Sequence, residues 1–128
     1  MKEGAGIMLA HGELTGEIIG AAIEVHRKLG PGFLEKIYEA ALCIELTKRR
    51  IRHDRQAPFE IFYEGHNIGK HRLDLLVEDT ILVDLKTVKA FDDTHLSIAR
   101  SALRAAGKRH GLLLNFARSR LQVRRVIT

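Results

Sequence analysis

Arg72-Leu73-Asp74-Leu75-Leu76-Val77-Glu78-Asp79-Thr80-Ile81-Leu82-Val83-Asp84-Leu85-Lys86 is the stretch whose reading decides the fold. Two runs rich in Leu, Val and Ile flank a short acidic turn, which predicts a hairpin of two antiparallel strands. Side chains alternate faces along a strand, so Asp74 is expected on one face with Arg72 and Leu76, and Leu73, Leu75 and Val77 on the other. On the second run Asp84 and Lys86 share a face, opposite Val83 and Leu85. With a three-residue loop, Glu78 to Thr80, Val77 pairs with Ile81, and counting outward sets Asp74 across from Asp84. Directly opposed side chains have Cβ atoms roughly 4.5–5.5 Å apart, and like charges there are destabilising. Two facing carboxylates in otherwise apolar strands need a cation between them, and a divalent metal with Lys86 alongside is the economical one.

Hard ions such as Mg²⁺ or Mn²⁺ take oxygen ligands, commonly one or two carboxylates with water completing the shell. Asp74 and Asp84 supply two such ligands, with the backbone carbonyl of Leu85 nearby. Lys86, two residues on, is placed to orient a water or to stabilise charge developing on a phosphate. Together these residues describe a site for hydrolysing a phosphodiester. The plainer alternative is a polar hairpin face on which Asp84 and Lys86 simply pair as ions, worth about 0–1 kcal/mol if exposed. Against it, Leu76, Leu82 and Val88 belong to the same face, so that face is not freely solvated.

Upstream, Ile18, Ala22, Val25 and Leu29 recur at helical spacing from Thr15, and Gly30-Pro31-Gly32 stops the run. His26, near that helix end, is a packed or dipole-stabilised histidine or a residue supporting the site. A second helix is expected from Phe33 to about Arg49, with Ile37, Ala41 and Ile44 as one stripe, widened by Leu34, Tyr38 and Leu42. Glu35 opens it, three residues before Tyr38, either favoured there by the helix dipole or completing the site as an auxiliary acid. Phe59 to Tyr63 reads as a first strand, with Gln56 ahead of it as a loop residue, the favoured reading, or a polar group near the site. Downstream, Asp92-Asp93-Thr94 caps a helix reaching Ala106, with Leu96, Ala99 and Leu103 on its apolar face and Gly107 as its stop. Gly111 to Phe116 is a continuous apolar run, expected as a strand covered on both faces, and Leu121 to Ile127 is a weaker final strand at an edge. The order predicts an α/β sandwich: a mixed central sheet with an antiparallel meander, flanked by helices.

The 128 residues suffice for one domain with its own core, taken as residues 13–128 behind a flexible tail at 1–12. With one cysteine, Cys43, no disulfide forms within the chain, and a small buried apolar role is expected for it. No window approaches the ~18 apolar residues of a membrane span, and the first residues lack the apolar run of a signal peptide, so a cytoplasmic protein is expected. The net charge of +5 gathers in Lys48 to Arg55, in Lys108-Arg109-His110 and in Arg118, Arg120, Arg124 and Arg125. Such clusters are solvated element ends or the footprint of a polyanion such as DNA or RNA. Arg49, Arg50 and Arg52, with Arg100 and Arg104 four apart on the later helix, are the candidate backbone contacts.

Gly32-Phe33-Leu34-Glu35-Lys36-Ile37-Tyr38, with Val25-His26-Arg27-Lys28-Leu29-Gly30-Pro31-Gly32 and Gly111 to Phe116, resembles the GxxExxY proteins of the PD-(D/E)XK nuclease-like superfamily, over about Leu14 to Val126. The resemblance implies a restriction-endonuclease-like fold, with Asp74, Asp84 and Lys86 as metal and catalytic residues and Glu35 as the helix-borne acid. Two departures accompany it. Asp84 stands where the family usually has glutamate, and Ile98 and Ala102 stand where the helix after the lysine usually carries glutamine and tyrosine. The expectation is therefore a Mg²⁺- or Mn²⁺-dependent nuclease, or else a weakened or inactive nuclease-like domain that binds nucleic acid or a protein partner. Many DNA-cleaving enzymes work as pairs, so a homodimer is among the expected states.

Overall fold

The computed structural model describes residues 11–128. In chain order the elements are α1 (His11–Leu29), α2 (Glu35–Lys48), β1 (His53–Tyr63), β2 (His66–Val77), β3 (Ile81–Lys86), α3 (Asp93–Ala106), β4 (His110–Asn115) and β5 (Gln122–Ile127). The five strands form one sheet in the order β1-β2-β3-β4-β5. Pairing is antiparallel throughout except between β3 and β4, which are parallel and joined through α3. This is the mixed sheet with an antiparallel meander that the sequence predicts, flanked by helices.

Two apolar layers hold the helices to the sheet. Leu14, Ile18 and Val25 of α1 and Tyr38, Leu42 and Leu46 of α2 pack with Leu75, Val77, Val83, Leu85, Leu112 and Leu114. On the other face, Ala99 and Leu103 of α3 pack with Leu73, Leu76, Leu82, Leu113 and Val126. Alternate residues of β4 thus enter opposite layers, as a strand covered on both faces requires. Emptying any one of these fully buried leucines to alanine costs about 2–5 kcal/mol.

Local chemistry explains the element ends. Gly30 and Gly32 take φ of 72° and 113° beyond α1, and Gly107 takes 70° beyond α3, conformations open to glycine without a Cβ clash. Asp92 caps α3 by accepting from the His95 amide, while the His95 ring accepts from the Asp92 amide. The β2–β3 turn has the predicted three-residue span, with Val77 opposite Ile81 and Glu78 and Asp79 both at positive φ.

Three expectations need correction. In α2 the buried stripe is Tyr38, Leu42 and Leu46, whereas Ile37, Ile44 and Leu34 are exposed. Strand β1 begins at His53, so Gln56 is a strand residue rather than a loop residue. Leu73 does not share a layer with Leu75 and Val77 but sits with Leu76 under α3. The cause is a break in the β1–β2 ladder. Arg55 pairs with Leu75 and Ala57 with Leu73, but Gln56, at φ 55°, drops out between them opposite Asp74. Helix α1 begins at His11, inside the stretch expected as a tail; residues 1–10 of that stretch lie outside the described residues.

Candidate active site

The break at Asp74 is what frees its side chain. Beyond Leu75–Val83 the β2–β3 ladder gives way, and the Asp74 carboxylate accepts the Leu85 backbone N–H at 2.9 Å. Asp74 is thereby fixed against β3, where Asp84 and Lys86 project. Lys86 Nζ lies 3.3 Å from Asp84 Oδ2. Asp74, Asp84 and Lys86 line one cavity of about 260 Å³, walled by Leu73 and Leu82 of the sheet and by Ile98, Ala99 and Ala102 of α3. The three residues thus line one cavity, although the ladder ends at Leu75–Val83, short of the expected Asp74–Asp84 pair.

The electrostatics are those of a site short of positive charge. Burial pushes the Asp84 carboxyl up to about 7; the Asp74 hydrogen bond and charge add to this and the Lys86 ammonium opposes it. Two facing carboxylates with a lysine that offsets only part of their repulsion form a donor set that fits a hard divalent cation. The Leu85 carbonyl would be the backbone ligand.

Asn115 went unnoticed in the sequence, although it is fully buried. Its amide donates to the Val88 carbonyl at 2.7 Å and to Gln122 Oε1, and its oxygen accepts from the Val88 and Ala117 amides. With the Phe116 amide donating to the Lys86 carbonyl, it ties the segment leaving Lys86 to the end of β4. A lone polar residue closing an apolar strand was the available signal.

Glu35 is not brought to the pair. It is exposed at the first turn of α2, whose apolar face packs on the opposite side of the sheet from α3. Among the described residues no group of three or more His, Cys, Asp or Glu side chains converges as a metal cage. The buried acids of α2 are instead Glu45 and Glu39, the latter one turn on and accepting from Arg55 and from the Gln56 amide. Through Gln56, Glu39 supports the strand segment directly opposite Asp74.

The nominated arginines divide. Arg49 is held by Glu17 and Glu45, and Arg52 forks onto the buried carboxylate of Glu78. Arg50, Arg100 and Arg104 are exposed and, among the described residues, lack a carboxylate partner. A larger cavity of about 520 Å³ opens at the β2–β3 turn, lined by Arg50, Arg52, His53, Glu78 and Asp79 among others, away from Asp84 and Lys86. His26 is a packed histidine, its Nε2 bonded to the Arg118 carbonyl at 2.8 Å. Cys43 is half-buried, and burial pushes its thiol up, away from reactivity.

A family model described as the PD-(D/E)XK nuclease superfamily matches residues 12–126, nearly the whole chain. The chain belongs to the PD-(D/E)XK nuclease superfamily. The mixed sheet flanked by helices is consistent with the restriction-endonuclease-like fold of this superfamily, whose members generally use divalent metals. No curated protein and no solved structure matched the chain. Among the described residues, no helix of this superfamily member is long and apolar enough to cross a membrane.

Proposed function

We propose that this PD-(D/E)XK domain, of the GxxExxY type and acting from residues 13–128 in the cytoplasm, hydrolyses nucleic-acid phosphodiesters with Mg²⁺ or Mn²⁺. The observation that carries the reading is the convergence of Asp74, Asp84 and Lys86 in one half-buried cavity. In this reading Asp74, Asp84 and the Leu85 carbonyl hold the cation. The bound cation supplies an activated water at neutral pH and neutralises charge on the phosphate. Asp74 is held rigid by the Leu85 amide, so ligand placement costs little reorganisation when substrate arrives. Lys86 orients the water or stabilises the phosphate charge. Glu35 has no part in this arrangement as it stands. Arg50, Arg100 and Arg104 are free to hold the backbone, which carries little sequence information.

One observation favours a second reading, a nuclease-like domain that binds nucleic acid or a protein partner and cuts weakly or not at all. Ile98 and Ala102, at the positions where relatives usually carry glutamine and tyrosine, face the cavity that holds Asp84 and Lys86. The wall that would offer polar groups to a water is apolar here. A cleavage assay on mixed DNA and RNA with Mg²⁺, Mn²⁺ or EDTA, run beside Lys86→Ala, separates the two. The nuclease reading expects metal-dependent cutting that falls by about 10²–10³ in the variant. Cutting that survives both chelation and the substitution would remove it.

A further inference from the structure

The cavity holding Asp74, Asp84 and Lys86 does not end at α3. His71, Ile98 and Ala102 also line a second cavity of about 260 Å³, completed by Phe59, Ile61, Ser101 and Ala105. The two are therefore neighbouring compartments of one trough. The second lies between α3 and a two-stranded arm. Residues 58–63 of β1 and 66–72 of β2 pair with each other, while β3 pairs with β2 only from Leu75 to Val77.

The chemistry changes along the trough. The first compartment carries two carboxylates and an ammonium, and the second carries no carboxylate or ammonium in its lining. Its floor is aromatic: the Phe59 and His71 rings lie 5.6 Å apart across the strand pair, with Ile61 beside them. Its opposite wall is Ile98, which leaves 59% of its surface exposed, with Ala102 and Ala105 along the same helix face. Arg72, exposed, lines the first compartment, and Arg104 stands exposed on the same helix as the wall. Apolar walls beside a phosphate-directed site, with cations at the margin, complement a nucleotide: a flat ring for the apolar part, a phosphodiester for the polar part.

We propose that this apolar compartment receives one unstacked base of a single-stranded nucleic acid, whose neighbouring phosphate then lies at Asp74, Asp84 and Lys86. The inference rests on the nuclease reading and narrows its substrate to single strands, frayed ends or loops. A base inside a duplex is stacked and paired, and bringing it into the trough costs a few kcal/mol of extrusion. A base already unpaired gains stacking on Phe59 and His71 at no such cost. At 260 Å³ the compartment is below the roughly 300 Å³ where sites for drug-sized ligands begin, which suits a single ring system.

The test measures binding in EDTA, where nothing is cut, by fluorescence anisotropy. The probes are a labelled oligothymidylate of about 10 nucleotides and a labelled hairpin duplex, a strand length within the usual range of single-strand sites. The intact chain should bind the oligothymidylate at least tenfold more tightly than the duplex. Phe59→Ala should weaken oligothymidylate binding by roughly 5–100-fold, and Phe59→Trp should retain it. Because Phe59 also packs in the α3 layer, Ala105→Trp provides the second arm: it adds a ring at an exposed position and plugs the compartment. It should weaken oligothymidylate binding and leave duplex binding unchanged. Equal affinity for strand and duplex overturns the proposal, as does wild-type oligothymidylate binding by both Phe59→Ala and Ala105→Trp. A shift of dimer to monomer by Ala105→Trp in sedimentation, without a change in oligothymidylate affinity, would assign the trough to a second copy of the chain and equally overturn it. Absence of cleavage with Mg²⁺ or Mn²⁺, together with intact single-strand preference, refutes the nuclease reading and leaves the base compartment standing.

Discussion

Asp84→Asn should stabilise the metal-free protein at alkaline pH and much less at acidic pH. The Asp84 carboxyl is pushed from 3.8 to about 7 in the fold. Its native affinity for a proton thus exceeds that of the unfolded chain, so stability is fullest below 3.8 and is lost as pH rises toward 7. A gap of about three pH units, at about 1.36 kcal/mol each, bounds the penalty at about 4 kcal/mol above pH 7. With 23% of the side chain still exposed, solvent screening lowers the usable figure to about 2 kcal/mol. Asparagine removes the charge and can still donate a hydrogen bond to Asp74. For a chain of this length, about 2 kcal/mol corresponds to a Tm rise of about 8 °C at pH 8 in EDTA. At pH 5 the native carboxyl is already protonated, and the gain should shrink to less than half. Thermal unfolding followed by circular dichroism at the two pH values reads this directly. A Tm lowered at pH 8, or raised equally at both pH values, would refute the reasoning that burial, with Asp74 alongside, penalises the ionised Asp84 carboxyl.

Asn115→Ala should cost about 2–4 kcal/mol in urea unfolding, because it strands the Val88 and Ala117 amides in a fully buried position. Loss of under 1 kcal/mol would mean that the amide does not clamp the segment after Lys86. Arg100→Ala should weaken nucleic-acid binding and lower the slope of log affinity against log salt by about 1, without changing Tm appreciably. Arg52→Ala should do the reverse, destabilising the fold by about 1–3 kcal/mol because the buried Glu78 carboxylate keeps only the residue-52 backbone amide as its donor from this position, while leaving the salt slope intact.

The central hairpin was legible because its constraints are local. Turn length, strand period and apolar pattern placed Val77 against Ile81, and Asp74 and Asp84 line one cavity although the ladder ends one pair short of them. What escaped depended on distant partners. The alternation that put Leu73 beside Leu75 fails at Gln56, whose backbone is left-handed and whose side-chain amide donates a hydrogen bond to Glu39 from another element. Glu35 looked like the helix acid because it opens the helix in the family signature, but Glu39 is the one that Arg55 and Gln56 allow to be buried. The same effect misdirected the α2 stripe: Glu45 is buried near Lys48 and Arg49 while Ile44 is exposed, so apolarity alone marked the wrong side. Basic clustering overstated the free cations, since Arg49 and Arg52 are spent on carboxylates from α1, α2 and the hairpin turn.

The most direct measurement is calorimetric titration of Mn²⁺ into the wild-type chain, Asp74→Asn and Asp84→Asn at pH 8. If the two carboxylates jointly hold one ion, the wild type binds it at a single site and either substitution abolishes or severely weakens that binding. Equal, weak heats in all three would mean that the aspartates do not form a metal site.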